Sequence, residues 1–495
     1  MKDISPLLSN GSARAIGEAI AAGKLTSVEA TDWYLSRIEQ FNYGENGINC
    51  VRSISPLARE EAKRADTELA AGRSRGPLHG VPFLVKDNIF TQDGSFASAG
   101  ARALAEFTPP YEATLVSRLR EAGAVLLGKT HLTEFADFVA DTMPSEFSGV
   151  GGVVRNPLGL QYGRGQGSSV GSAAAVAAGF CAFAIGSETQ NSIQAPAVHT
   201  SLVGFKPTVG QVSRHGVIPL VPGQDSPGPL TRTVEDALLI FQAIAGPDMN
   251  DTATLANFAD ESRGNEDLQG LRIGIPRRYV ADNLNNVSQK ALFEDLLASL
   301  SRAGAIIIDN CDLPAAEQLN AVRSSVFRAE FHASLNTFLA LLKPCGMTSM
   351  SDIIAWNSAH PEAIPYGQSL LEAAKAAPDI RSAQYINDRR HDITLSLDEG
   401  ILAAMKNGNA HVLLSPMTVA AKCTGKAGVP VIALPVGSDA EGLPFGVTVY
   451  AAPGHDYAVI EAAKAIESLV GKRLLPRMDA TSRVVHKPES GFTGA

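Results

Sequence analysis

Along the chain the apolar residues recur with two periods. In "TSVEATDWYLSRIEQF", residues 26–41, Tyr34, Leu35, Ile38 and Phe41 share one helical face, and Thr26 followed by Glu29 has capping-box spacing. "ATLVSRLREAGAVLLG" reads as a helix, a glycine stop at Gly123 and an apolar strand over 124–127. The same layout returns in "ALFEDLLASLSRAGAIIID", with Gly304 as the stop and Ala305 to Ile308 as the strand. Two helix-then-strand units predict an α/β fold whose sheet is covered by helices. Further strands are expected at 271–276, 411–416, 430–437 and 444–451, where short apolar runs are bounded by turn residues. "AAAVAAGFCAFAI", residues 173–185, is shorter than a membrane crossing of roughly 20 residues requires and reads as a buried helix running into a strand. Residues 315–405 read mostly helical, a lobe over one edge of the sheet, and the tail after Pro476 has little periodicity and is expected to be mobile.

Composition narrows the class. The hydrophobic fraction of 45% and charged fraction of 19% are those of a globular protein, and 495 residues suffice for a large core. A formal charge of −9 argues against a nucleic-acid partner, which needs a dense cationic face. Cys50, Cys181, Cys311, Cys345 and Cys423 are scattered without C-x-x-C pairing, which suggests reduced thiols in a cytoplasm and no zinc site. The amino terminus lacks the basic-then-apolar layout of a secretory signal.

Two short patterns point to other chemistry. "GAVLLGKT", Gly123 to Thr130, fits the phosphate-loop pattern, but its interior Ala-Val-Leu-Leu reads as the strand itself rather than as a loop after one. "GSSVG", Gly167 to Gly171, fits a nucleophile elbow with Ser169 as nucleophile, but polar, glycine-rich "LQYGRGQ" stands where that elbow needs a strand.

A third pattern is harder to dismiss. "VPFLVKDNI", residues 81–89, places Lys86 at the end of an apolar, strand-like run, although lysine is rarely buried unless its amine is held or used. In residues 163–197 a Gly/Ser loop opens an alanine-rich helix, and a second polar loop follows. Small alanines let backbones approach closely, so this helix could bring Ser168 near Ser192. A buried lysine can lose up to ~3 to 5 pKa units, enough to accept a proton near neutrality. A serine hydroxyl between lysine and nucleophile can donate and accept at once, relaying that proton. The alternative is a structural Lys86 holding loop carbonyls or pairing with Asp87, with Ser192 a turn former and Ser169 and Ser172 helix-opening groups bonding nearby amides.

"GVPFLVKDNI", "LREAGAVLLGKTHLTEFADF", "RNPLG", "GSSVGSAAAVAAG", "AIGSETQNSIQAPA", "LVGFKPTVGQVSRHGVIPL" and "SPGPLTRTVEDALLI" occur in an order and spacing that resemble the amidase signature family. The similarity is dense over about residues 10–250 and thinner to "GLPFGVTVYAAPGHDYAVIEAA"; the segment around "QDSPGP" looks most like the bacterial peptide-amidase-like branch. The resemblance implies an α/β amidase signature fold, a mixed central sheet with helices on both faces. It implies one domain over 1–478, the 315–405 lobe on the active-site side, and a tail at 479–495. It also implies a Ser-Ser-Lys triad. Lys86 is the base, Ser168 the serine held in a cis conformation and Ser192 the nucleophile, with backbone amides of Thr189, Gln190, Asn191 and Ser192 as the oxyanion hole. Such an enzyme needs no cofactor or metal. Its partner would be a small linear amide of aryl, peptidyl-carboxamide or carbamate type, in the cytoplasm, without nucleic acid or membrane, and with a homodimer left open.

The sequence departs from the family at several points. Gln190-Asn191 replaces two glycines, which suggests a reshaped oxyanion loop because glycine reaches backbone angles other residues resist. Gln194 replaces an arginine, Glu188 an aspartate, Val170 a small residue and His131 an asparagine, and His131 is expected to be structural. Two other functions stay open: an amidotransferase subunit releasing ammonia from glutamine for charged transfer RNA, and a non-catalytic binding protein on the same scaffold.

Overall fold

The computed structural model describes residues 4–256, 267–313, 318, 324–470, 473–476 and 478, so the expected tail at 479–495 lies outside the described residues. Thirteen strands are formed: β1 (Val51–Ile54), β2 (Pro82–Lys86), β3 (Val125–Thr130), β4 (Phe147–Ser148), β5 (Gly152–Val153), β6 (Phe183–Glu188), β7 (Val203–Lys206), β8 (Ser226–Thr231), β9 (Arg272–Gly274), β10 (Ile306–Ile308), β11 (Val412–Pro416), β12 (Val431–Ser438) and β13 (Pro444–Tyr450). Eleven make one sheet in the order β1-β3-β2-β6-β8-β7-β12-β13-β11-β9-β10, while β4 and β5 pair separately. The sheet is mixed: β2 runs parallel to β3 and β6, and β8 runs antiparallel to β6 and β7. Every residue of β2, β3, β6 and β8 is buried, so both faces of the sheet's middle are covered by helices.

Local chemistry sets these elements. Thr26 Oγ1 accepts from Glu29 N at 3.0 Å while Glu29 Oε2 accepts from Thr26 N at 2.8 Å, and the helix Ser27–Phe41 so opened buries Tyr34, Leu35 and Ile38. Gly123 (φ 83°) and Gly304 (φ 101°) take the left-handed turn that ends a helix and releases β3 and β10. "GAVLLGKT" is indeed a strand. In it Gly128 has φ 147°, and a Cβ there would stand 2.0 Å from Ser53 O, so only glycine lets β1 approach. Phe83 of β2 stacks on Phe183 of β6 with centroids 5.3 Å apart. Each large apolar side chain buried in this way contributes about 1.5–3 kcal/mol.

Two expectations need correction. "SPGPLT" forms β8 although proline cannot donate to a ladder; β7 pairs with it only at Leu230 and Thr231, so Pro227 and Pro229 face few demands for a donor on that side. The lobe, built from helices Val326–Leu342, Met350–Ala359, Ser369–Lys375, Ala383–Ile393 and a π-helical stretch Thr394–Leu402, does not cover a sheet edge. Its apolar face finds aromatic rings on the loops that leave β2 and β3: Phe338 lies 6.1 Å from Phe90 and 6.0 Å from Phe107, and Phe331 lies 5.9 Å from Phe135 and 5.6 Å from Phe138. The lobe thereby stands over the carboxyl ends of the parallel strands, where α/β sheets bind ligands.

Candidate active site

Lys86 is the last residue of β2, and parallel pairing of β2 with β6 carries its amine to the end of β6. Fully buried, Lys86 Nζ lies 2.8 Å from Ser168 Oγ, 3.0 Å from Ser187 O and 3.1 Å from Ser187 Oγ. Asn88 Nδ2 donates to the same Ser187 hydroxyl at 2.9 Å. Burial pulls the Lys86 pKa down from the usual lysine range to about 7, while the more distant carboxylates Asp225, Glu188 and Asp137 push the other way. Pairing with Asp87 is not what holds it: the Asp87 carboxylate is occupied by Arg52 and Ser98. Burial alone does not single Lys86 out. Lys129 and Lys206 are equally buried and are lowered to about 8 for the same reason, but their amines donate to the backbone oxygens of Ile89 and Pro207.

Ser168 follows a cis Gly167–Ser168 peptide bond and is fully buried, and its carbonyl accepts from Thr133 N at 3.1 Å. The two serine loops are stitched together, since Ser169 N donates to Ser192 O at 3.1 Å. Ser169 and Ser172 do not open the helix as caps. Ser169 Oγ donates to Ser187 O at 3.1 Å and Ser172 Oγ to Ile185 O at 3.2 Å, fastening the all-buried helix Val170–Ala177 to β6. That use of Ser169 leaves the elbow reading without support.

Glu188 closes the second loop. Its carboxylate accepts from Ile193 N at 2.7 Å, Gln194 N at 2.9 Å and Gln194 Nε2 at 2.5 Å, drawing both ends of residues 188–194 together. Thr189 Oγ1 donates to Asp225 Oδ1 at 2.5 Å from the other side. Neither Gln190 nor Asn191 has a positive φ, so this backbone does not require glycine there; Asn191 Nδ2 instead donates to Gly165 O at 2.9 Å. Among the described residues, the backbone amides of Thr189, Gln190, Asn191 and Ser192 donate to no protein acceptor. Ser192 lines a cavity of about 570 Å³ with Gly167, Gln190 and Asn191 on one side and Phe327 and Arg328 of the lobe on the other. Its hydroxyl makes no hydrogen bond among the described residues, so the direct link from Ser168 Oγ to Ser192 Oγ is not formed. A second cavity of about 230 Å³, reaching Asn88 and Ser187, shares Ala136, Thr189 and Leu220 with the first.

Sequence reasoning found Lys86, Ser168 and Ser192 but missed Ser187, Asn88 and Asp225, whose roles depend on strand pairing. His131 is buried beneath Gly151, where a Cβ would lie 2.0 Å from its ring, and burial lowers its pKa to about 4. All five cysteines are free, four of them buried. Among the described residues no cluster of His, Cys, Asp or Glu could hold a metal ion, and no helix is long and apolar enough to cross a membrane.

A buried amine on a serine hydroxyl, beside a second serine under unoccupied amides, is the equipment of acyl transfer. The family model for amidases matches residues 29–426. The native peptide amidase of Stenotrophomonas maltophilia superposes with TM-score 0.85 and 34% identity over 95% of this chain and 99% of that one. An amidase family protein of Bacillus anthracis gives TM-score 0.88 and 31% identity over 96% and 94% of the two chains. A Glutamyl-tRNA(Gln) amidotransferase subunit of Symbiobacterium thermophilum is 38% identical over 66% of this chain and 65% of its own length. The protein is a hydrolase of amide C–N bonds. It belongs to the amidase signature family.

Proposed function

We propose that the protein cleaves a linear carboxylic amide, of aryl, peptidyl-carboxamide or carbamate type, through an acyl-enzyme on Ser192. Ser192 Oγ attacks the carbonyl carbon and gives its proton to Ser168 Oγ as the Ser168 proton passes to neutral Lys86. The same chain returns a proton to the leaving amine, and water then frees the acyl group by the reverse relay. The amides of residues 189–192 receive the oxyanion, a kind of donor whose loss typically costs about 100- to 1000-fold in rate. The observation that carries this reading is the 2.8 Å contact between a fully buried Lys86 Nζ and Ser168 Oγ. Closure of the Ser168–Ser192 gap on substrate binding completes the relay, since catalytic hydrogen bonds are often long without substrate.

The amidotransferase reading is less well supported, because that relative leaves about a third of this chain unmatched whereas the peptide amidase spans nearly all of it. A non-catalytic role fits poorly with amides left free of protein partners beside a serine. Incubation with a panel of small amides, esters and carbamates, followed by intact and peptide mass measurement, tests the proposal. An acyl adduct on Ser192 that is absent from Ser192→Ala is expected; turnover without any such adduct, or retained in that variant, would overturn it.

A further inference from the structure

The cavity in front of Ser192 contains a carboxylate that no cation among the described residues neutralises. Phe135 (φ 44°), Ala136 (φ 56°) and Asp137 (φ 73°) form three consecutive left-handed residues, a conformation side chains rarely adopt even singly. The sharp turn they make sets Ala136, Asp137 and Phe138 into the wall of the Ser192 cavity. Asp137 Oδ2 accepts from Ser145 Oγ at 2.8 Å, and that same hydroxyl accepts from Gln166 N at 3.2 Å, two residues before Ser168. The carboxylate is therefore fixed relative to the loop that carries Ser168. Its Oδ1 makes no hydrogen bond, and Asp137 forms no ion pair, among the described residues.

The surrounding charges leave it so. Burial raises the Asp137 pKa to about 6; the Ser145 bond opposes this, Glu146 adds to it, and Lys86 and Arg164 act weakly against it. Of the other charged side chains on the cavity wall, Lys426 is paired with Asp392, Lys422 feels the charges of Lys426 and Asp392, Asp141 accepts from Ser369 Oγ at 3.0 Å, and Arg328 comes from the lobe. At neutral pH an anion is thus held in a largely dry wall, a state that costs free energy until a cation joins it.

We propose that Asp137 determines substrate specificity by receiving the ammonium group of an amide that also carries a primary amine. This rests on the reading of Ser192 as nucleophile. The substrate carbonyl is presented to Ser192 while its ammonium donates to Asp137 Oδ1.

The test is protection of Ser192 from a fluorophosphonate by primary n-alkylammonium ions, butyl to octyl, against n-alkanols of equal length. Wild type and Asp137→Asn are compared near pH 7.5, and wild type again near pH 5; asparagine keeps an acceptor for Ser145. Near pH 7.5 the ammonium should protect wild type at least about fivefold better than the alkanol at some chain length, the scale of one ion pair. The advantage should fall below about twofold in Asp137→Asn and in wild type near pH 5, where Asp137 is protonated. Protonation of Lys86 slows labelling for both ligands alike, so the ratio reports Asp137. Equal advantage in both proteins, an advantage that persists near pH 5, or none at any length would overturn the proposal. The wild-type pH comparison stands even if the variant does not fold. Absence of labelling in untreated wild type would instead reject the nucleophile itself.

Discussion

Lys86 Nζ sits 2.8 Å from Ser168 Oγ, and its other contacts, with Ser187 O and Ser187 Oγ, are also to uncharged oxygens. Nothing adjacent stabilises an ammonium by charge, which is why burial prevails and the amine is available as a base near neutrality. Lys86→Ala and Ser168→Ala should each lower kcat/KM on an activated aryl amide by about 100- to 10,000-fold, the range of general-base catalysis. Because the three residues act as a unit, Lys86→Ala/Ser168→Ala should cost little more than either alone. Steady-state kinetics on the two single variants and the double variant check this.

Glu188 should act on rate rather than on substrate affinity. Its carboxylate holds Ile193 N and Gln194 N and so fixes the curvature of residues 189–192. Glu188→Gln keeps the size but leaves a weaker acceptor in a buried place, which costs about 1–3 kcal/mol of stability. A loosened oxyanion loop lowers kcat by about 10- to 100-fold with KM nearly unchanged. Separate determination of kcat and KM, with a denaturant titration, distinguishes this from general unfolding.

Burial of the Lys86 amine carries a stability cost that varies with pH. The folded chain binds this proton only below about pH 7, while the unfolded chain binds it up to about 10.4. Between those values the unfolded state holds more protons, so the Lys86 contribution rises with pH across that window and is least favourable at and below its lower end. Lys86→Met removes the group. The stability of wild type relative to Lys86→Met should therefore rise between about pH 7 and 10, by on the order of 3–5 kcal/mol. Urea titrations of both proteins across that range measure it; Lys129 and Lys206 titrate in both and cancel.

How far the sequence foretold this structure depends on the kind of information each feature needs. The helix at Ser27–Phe41 and the stops at Gly123 and Gly304 are local, and the period, the cap and the turn residue all agreed. Lys86 at the end of an apolar run was legible because a lysine there conflicts with its surroundings. The partners of its amine were not legible: Ser187 and Asn88 meet it only because β2 and β6 pair in parallel at that register. The strand at Ser226–Thr231 was hidden by its two prolines, and the seat of the lobe by its dependence on aromatic residues some 200 positions earlier. The backbone at Gln190 and Asn191 was misjudged for a related reason: Asn191 Nδ2 bonds Gly165 O, and the loop takes ordinary angles where glycine seemed required.

The account depends on Lys86 being neutral near physiological pH, and the rate at which a fluorophosphonate labels Ser192 reports that state without the need for a known substrate. Measured from about pH 5 to 10, this rate should rise with a single ionisation near the Lys86 pKa of about 7 and then level off, and the rise should vanish in Lys86→Met. A midpoint close to the ordinary lysine value of about 10.4, or the same rise in the variant, would contradict it.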